Sequence, residues 1–273
     1  TVLDSNEYQN LKFDLAPDGQ IIVVQRVSRD NPGDFGPWVI VQGETPRRLE
    51  TQPGGDFMIA PDSESLLLQQ GEGTAIIALN DAQNEQSGET LDFLPQYGLV
   101  MDVANNGSAA AMVSFNQDDP EKRYTQTLFW VSNQGDEKSL LNVTGSILDA
   151  QFDPTNELLF CLTSQLIETD TYQVQPSISA INLKTGDVKE LQKLSPQPSA
   201  RMSLAPDGLA LLFDEAILDK NDSTVLDDGG AVTTAKLWLL PLYPTSADRL
   251  NKNPQSIEPQ EFPFAGLSPM WIP

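Results

Sequence analysis

Two carboxylates held a few ångströms apart can cleave a glycosidic bond with no histidine to assist them. This chain is rich in such groups: 39 Asp and Glu stand against 16 Lys and Arg, for a net charge of −23 over 273 residues. Four aspartates are set apart by placement, because Asp14, Asp56, Asp102 and Asp149 fall in two matching columns of a repeated segment. Lys12, Gln151, Arg201 and Ser203 occupy the same two columns. These eight are the candidate binding residues, and the four aspartates are the first to inspect for a ligand or an ion. The alternative for the same columns is a solvated or mutually paired lining, since polar groups on an inner strand need water or partners.

Composition closes off other chemistries. The chain has no histidine, which removes Ser-His-Asp triads, Cys-His dyads and His-ligated zinc. The single Cys161, in "ELLFCLTS", cannot form an internal disulfide, and its apolar neighbours mark a buried thiol rather than a nucleophile. So acidic a surface repels phosphate backbones and anionic bilayers, so nucleic acid is not an expected partner. No apolar run reaches the roughly 18 residues of a membrane span, and membrane insertion is not expected. The stretch "DEAILDKNDSTVLDDGG" (214–230) sets Asp219, Asn221, Ser223 and Asp227 at calcium-loop spacing. Thr224, however, stands where that loop needs Gly, and Gly230 where it needs a bidentate Glu. It reads as a flexible acidic insertion. No catalytic residue, metal site or cofactor is therefore expected, with calcium the one ion left in view.

The elements that must position these side chains come from a repeat. Six copies of one segment align: "LKFDLAPDG" (11–19), "GDFMIAPDS" (55–63), "LVMDVANNG" (99–107), "LDAQFDPTN" (148–156), "ARMSLAPDG" (200–208) and "LSPMWIP" (267–273). The proline or its Asn105 equivalent recurs at intervals of 44 to 67 residues. A period near this, with several strands per unit, indicates propeller blades. The Pro-Asp-Gly itself is turn chemistry: Pro presets φ, Asp bonds back to N–H groups two residues on, and Gly supplies positive φ. Residues two and four before the proline are apolar (Leu15 and Phe13, Ile59 and Phe57, Leu204 and Met202) and are expected to pack between blades. Residues three and five before it form the two polar columns, which face a central channel.

The expected fold is therefore all-β: a β-propeller of four-stranded antiparallel blades, five complete repeats plus a sixth inner strand, five- or six-bladed. The chain is read as one propeller domain over 1–273. Because it starts at Thr1 without an initiator Met, and its sixth copy stops at Pro273, it is also read as a fragment of a longer protein.

The copies "LAPDGQIIVV", "IAPDSESLLL", "LAPDGLALLF" and "LSPMWIP" resemble the repeat of the TolB-like β-propellers, the WD40-like family with PD40-type repeats. The resemblance covers nearly the whole chain. It implies a periplasmic or otherwise extracytoplasmic, cell-envelope protein that binds partner proteins or peptides. Long loops between second and third strands, at 28–37, 116–125, 165–177 and 215–234, would crowd one rim. The short link near "GEG" (71–73) would leave a low point where a peptide could approach. Three functions follow: a non-catalytic interaction platform, a carboxylate-dependent glycoside hydrolase or lyase, and an accessory propeller of a larger enzyme. The platform is preferred, because no nucleophile-base pair, metal triad or phosphate-cradling loop is present.

Overall fold

A computed structural model describes residues 7–51, 54–70, 73–79, 90–94, 98–116, 119–132, 134–167, 173–197, 199–218, 233–266 and 268–271. The calcium-like residues Asp219, Asn221, Ser223 and Asp227, and the termini 1–6 and 272–273, lie outside them.

Among the described residues twenty strands form five four-stranded sheets, each in sequence order. The first holds β1 (Tyr8–Leu15), β2 (Ile21–Ser28), β3 (Phe35–Val41) and β4 (Arg47–Arg48). The second holds β5 (Phe57–Ile59), β6 (Ser65–Gln70), β7 (Gly73–Ala78) and β8 (Thr90–Leu94). The third is β9 (Leu99–Val103), β10 (Ala109–Ser114), β11 (Thr125–Ser132) and β12 (Glu137–Thr144). The fourth is β13 (Ser146–Phe152), β14 (Leu158–Ile167), β15 (Gln173–Asn182) and β16 (Val188–Lys193). The fifth is β17 (Met202–Leu204), β18 (Ala210–Leu218), β19 (Thr233–Pro241) and β20 (Gln260–Ala265). Each sheet is an antiparallel meander, as the repeat requires. Among the described residues no helix is long and apolar enough to cross a membrane.

The chain divides into two compact units, with a boundary that runs through the third sheet. The first unit, built on the first and second sheets, has a core of Val23, Val39, Phe57, Leu66, Leu68 and Ile77 with their neighbours. The second unit, built on the fourth and fifth sheets, centres on Leu158, Phe160, Leu162, Ile178, Phe213 and Leu240. Second strands read as unbroken apolar runs because both of their faces are covered. Leu158 through Leu162 of β14 are all at most 1% exposed.

All five turns between first and second strands are built alike. The residue after the aspartate or its stand-in adopts positive φ: Gly19 (73°), Ser63 (61°), Gly107 (67°), Asn156 (58°) and Gly208 (68°). Its N–H returns to the carbonyl three residues back at 2.7–3.0 Å in every copy. The turn carboxylates act as the sequence predicts: Asp18 accepts from the Gln20 N–H (2.9 Å), Asp62 from Glu64 (2.8 Å) and Asp207 from Leu209 (3.0 Å). In the fourth copy Asp153 takes this task, accepting from Glu157 and Leu158.

Two expectations change. Phe13 is 59% exposed although its equivalents Phe57 and Met202 are each 3% exposed. Phe57 and Met202 belong to the cores of their units, whereas Phe13, on the first strand of the first unit, is in neither core. The long rim loops of the fourth and fifth sheets are in part extended hairpins. Gln165 pairs with Gln175 and Ile167 with Gln173, while Glu215 pairs with Lys236 and Leu218 with Thr233.

Candidate functional site

The predicted site residues fall on the inner strands or, for Asp56 and Arg201, directly before them, and most of them form two groups, one in each compact unit. In the first unit Asp14, three before the turn proline, does not project freely. Its Oδ2 accepts from the Ile59 N–H of the next sheet at 2.7 Å, and its Oδ1 accepts from Leu15 N–H at 2.9 Å. Burial raises its pKa above the usual carboxylate value, against the lowering effect of those two N–H groups and of Lys12. Lys12 reaches across to the second sheet, where its ammonium pairs with Asp56, donates to the Phe57 carbonyl (2.8 Å) and lies 5.1 Å from the Phe57 ring centroid. Lys12 and Asp56 are both substantially exposed, so their pair adds little stability.

In the second unit Gln151 holds the position of Asp14. Its Oε1 accepts from the Leu204 N–H of the next sheet at 2.7 Å, and its amide nitrogen donates to the Met202 carbonyl (3.2 Å) and to Asp149 (2.8 Å). Ser203, one repeat further on, accepts from the Trp271 N–H (3.3 Å), and the Trp271 indole N–H donates to the Ser203 carbonyl (3.1 Å). Ile59, Leu204 and Trp271 all stand two before their turn proline. One rule thus appears three times: the polar side chain three before the proline accepts the main-chain N–H two before the next proline. Residues 268–271 consequently sit against β17 as a sixth copy of the inner segment, although no strand is assigned to them.

Asp102 of the third sheet repeats the local half of the pattern and accepts from Val103 N–H at 2.8 Å. The structure therefore brings Lys12 to Asp56, and Asp149 to Gln151. Arg201 stays apart: its side chain is exposed and forms no ion pair among the described residues, while its backbone N–H donates to Asp214 at 2.6 Å. Asp214 is the residue that sequence reasoning missed. Counted into the acidic insertion, it instead lies in β18, 3% exposed, with its second oxygen accepting from Ser268 N–H at 2.7 Å. The apolar run "LALLF" just before it was the available signal.

Among the described residues, no three Asp, Glu, His or Cys side chains gather as a metal would need. Cys161 is buried, and burial pushes its thiol pKa well up. Beside the end of β6, in the first unit, lies a cavity of about 550 Å³. It is lined by Gln25, Gln69, Gln70, Leu11 and Phe35.

Five four-stranded antiparallel meanders with repeated inner-strand turns define a β-propeller. Its fold is TolB-like, and solved structures agree. A TolB from Agrobacterium tumefaciens superposes with a TM-score of 0.55 at 15% identity, over 96% of this chain and 84% of that one. TolB from Acinetobacter baumannii gives 0.53 at 16% identity, over 88% and 53%. An oligogalacturonate lyase in complex with manganese gives 0.55 at 12% identity, over 83% and 61%. The chain thus spans about three fifths of the lyase and about half of the Acinetobacter protein. At these identities the likeness is one of fold. Neither a family model nor a curated protein sequence matches the chain.

Proposed function

We propose that the chain is a non-catalytic interaction platform: a TolB-like propeller of the cell envelope, outside the cytoplasm, that binds protein or peptide partners through its loop rim and the mouth of its inner strands. The observation that carries this reading is the engagement of the inner-strand polar column. Asp14, Gln151 and Ser203 bond the main chain of the following segment, and so serve as scaffold rather than as acids or nucleophiles. The likeness to two TolB structures supports the same class.

The lyase likeness keeps the carboxylate enzyme as the second reading. That reading needs two carboxylates free to act on one substrate, and Asp14 and Asp56 already hold Ile59 N–H and Lys12. Affinity capture with the intact protein, run beside a polyuronide turnover assay, separates the two. The platform reading expects a saturable partner and no turnover. Turnover without any retained partner overturns it.

A further inference from the structure

The second unit contains a cleft of about 400 Å³ between the end of β16 and the fifth sheet, away from the inner strands. Its lining includes Lys193, Ser195, Phe213, Glu215, Trp238 and Glu258. Phe213 and Trp238 are directly paired across β18 and β19 and stack with centroids 6.3 Å apart and planes within 8°. Phe213 is 2% exposed, so it forms a closed aromatic floor beneath the indole. Glu215, two residues on, emerges on the same face of the sheet.

Three features of the cleft are unsatisfied. The Trp238 indole nitrogen is buried and has no acceptor, which is costly for a donor removed from water. Neither Glu215 nor Glu258 is in an ion pair with a described residue, and Lys236, which faces Glu215 across β18 and β19, pairs with Glu261 at 3.0 Å. Lys193, the one cation in the lining, leaves the cleft a single net negative charge. The indole already attracts a cation, with the Lys236 ammonium 5.6 Å from its ring centroid.

We propose that this cleft receives an arginine side chain of a partner peptide. A guanidinium is planar and weakly hydrated, so it stacks on an indole face and donates in a fork to carboxylates. Glu215 and Glu258 accept from it. The net charge of −23 draws a basic segment toward the chain. The single net negative charge of the cleft matches one guanidinium rather than a polybasic run.

This inference rests on the interaction-platform reading. The test titrates intact protein with Ac-Ala-Arg-Ala-NH2, the isosteric uncharged citrulline peptide, and cellotetraose, while following the indole N–H resonances. The chain has four tryptophans, and Trp238→Phe assigns the signal. Saturable movement of the Trp238 resonance by the arginine peptide alone is expected. Combined Glu215→Gln and Glu258→Gln substitution, with the melting curve unchanged, weakens binding about tenfold or more, and Lys193→Gln tightens it. Equal binding of the citrulline peptide, tighter binding of cellotetraose, or no movement at millimolar peptide overturns the proposal. If the doubly substituted chain still retains its captured partner in full, the cleft is refuted and the platform reading stands.

Discussion

Asp14 shows how one side chain in a repeat can be polar without being reactive. Its carboxylate is buried because it must reach Ile59 N–H, 45 residues ahead, and burial raises its pKa above the ordinary value of 3.8. The folded chain therefore keeps that proton at a pH where the unfolded chain has lost it. The contribution of Asp14 to stability falls as pH rises through the window above 3.8, and is constant on either side. Asp14→Asn removes this titration. Urea melts across a pH series should show wild type losing stability relative to the variant as pH rises through that window; a pH-independent difference would contradict the account. Gln151 performs the same bonding with no charge to titrate, so the corresponding bond in the second unit carries no such pH dependence.

At the scale of elements, the turns and the terminal segment make two predictions. Gly19 and Gly208 share a positive φ, but a Cβ at Gly19 meets nothing within 4 Å, whereas at Gly208 it would lie 2.7 Å from Pro154 Cδ of the neighbouring turn. Gly19→Ala should cost about 1 kcal/mol, the conformational penalty alone. Gly208→Ala adds overpacking worth about 1–3 kcal/mol. Equal losses in denaturant midpoint for the two variants would show that the packing of adjacent turns contributes nothing. The second prediction concerns Asp214, which ties Arg201 N–H and Ser268 N–H to one buried carboxylate. Asp214→Ala removes both hydrogen bonds, and because Arg201 and Ser268 are exposed residues whose N–H groups water can reach, the cost should be about 0.5–1.5 kcal/mol for each bond. It should also release the segment beside Trp271, seen as a red-shifted tryptophan emission that Trp271→Phe abolishes. Unchanged emission would mean that Ser203 alone holds the sixth copy in place.

At the scale of the molecule, each compact unit carries its own core, and Cys161 reports on one of them. It lies in β14 at 0% exposure, between Phe160 and Leu162, with a thiol whose pKa burial raises. A thiol reagent should leave it untouched in the native protein and modify it at the rate of unfolding of the second unit. Rapid labelling under native conditions would show that this core opens locally. Large exposed apolar side chains lie outside both cores: Tyr124 (84%) and Leu250 (82%) in the second unit, and Phe13 (59%) on β1 in the first.

The repeat, the order of strands and the turn chemistry were legible in the sequence, because each is written locally. Alternation with period two marks a strand, and Pro-Asp-Gly or Asn-Asn-Gly satisfies its own backbone within a few residues. Even Asp153, which replaces a turn alanine, closes its turn through N–H groups at most five residues on, although it also pairs with the distant Lys252 at 3.2 Å. The sequence also placed Asp14, Gln151 and Ser203 in one column, but not what they bond. Their partners Ile59, Leu204 and Trp271 lie 45, 53 and 68 residues ahead, and only the packing of one sheet on the next brings those N–H groups within reach. For the same reason Asp214 belongs to the core rather than to the acidic insertion, and two rim loops extend as hairpins. The cleft over Trp238 likewise exists only where the end of β16 meets the fifth sheet. Local chemistry determined the elements; the tertiary structure decided which polar groups were engaged and which were left without partners.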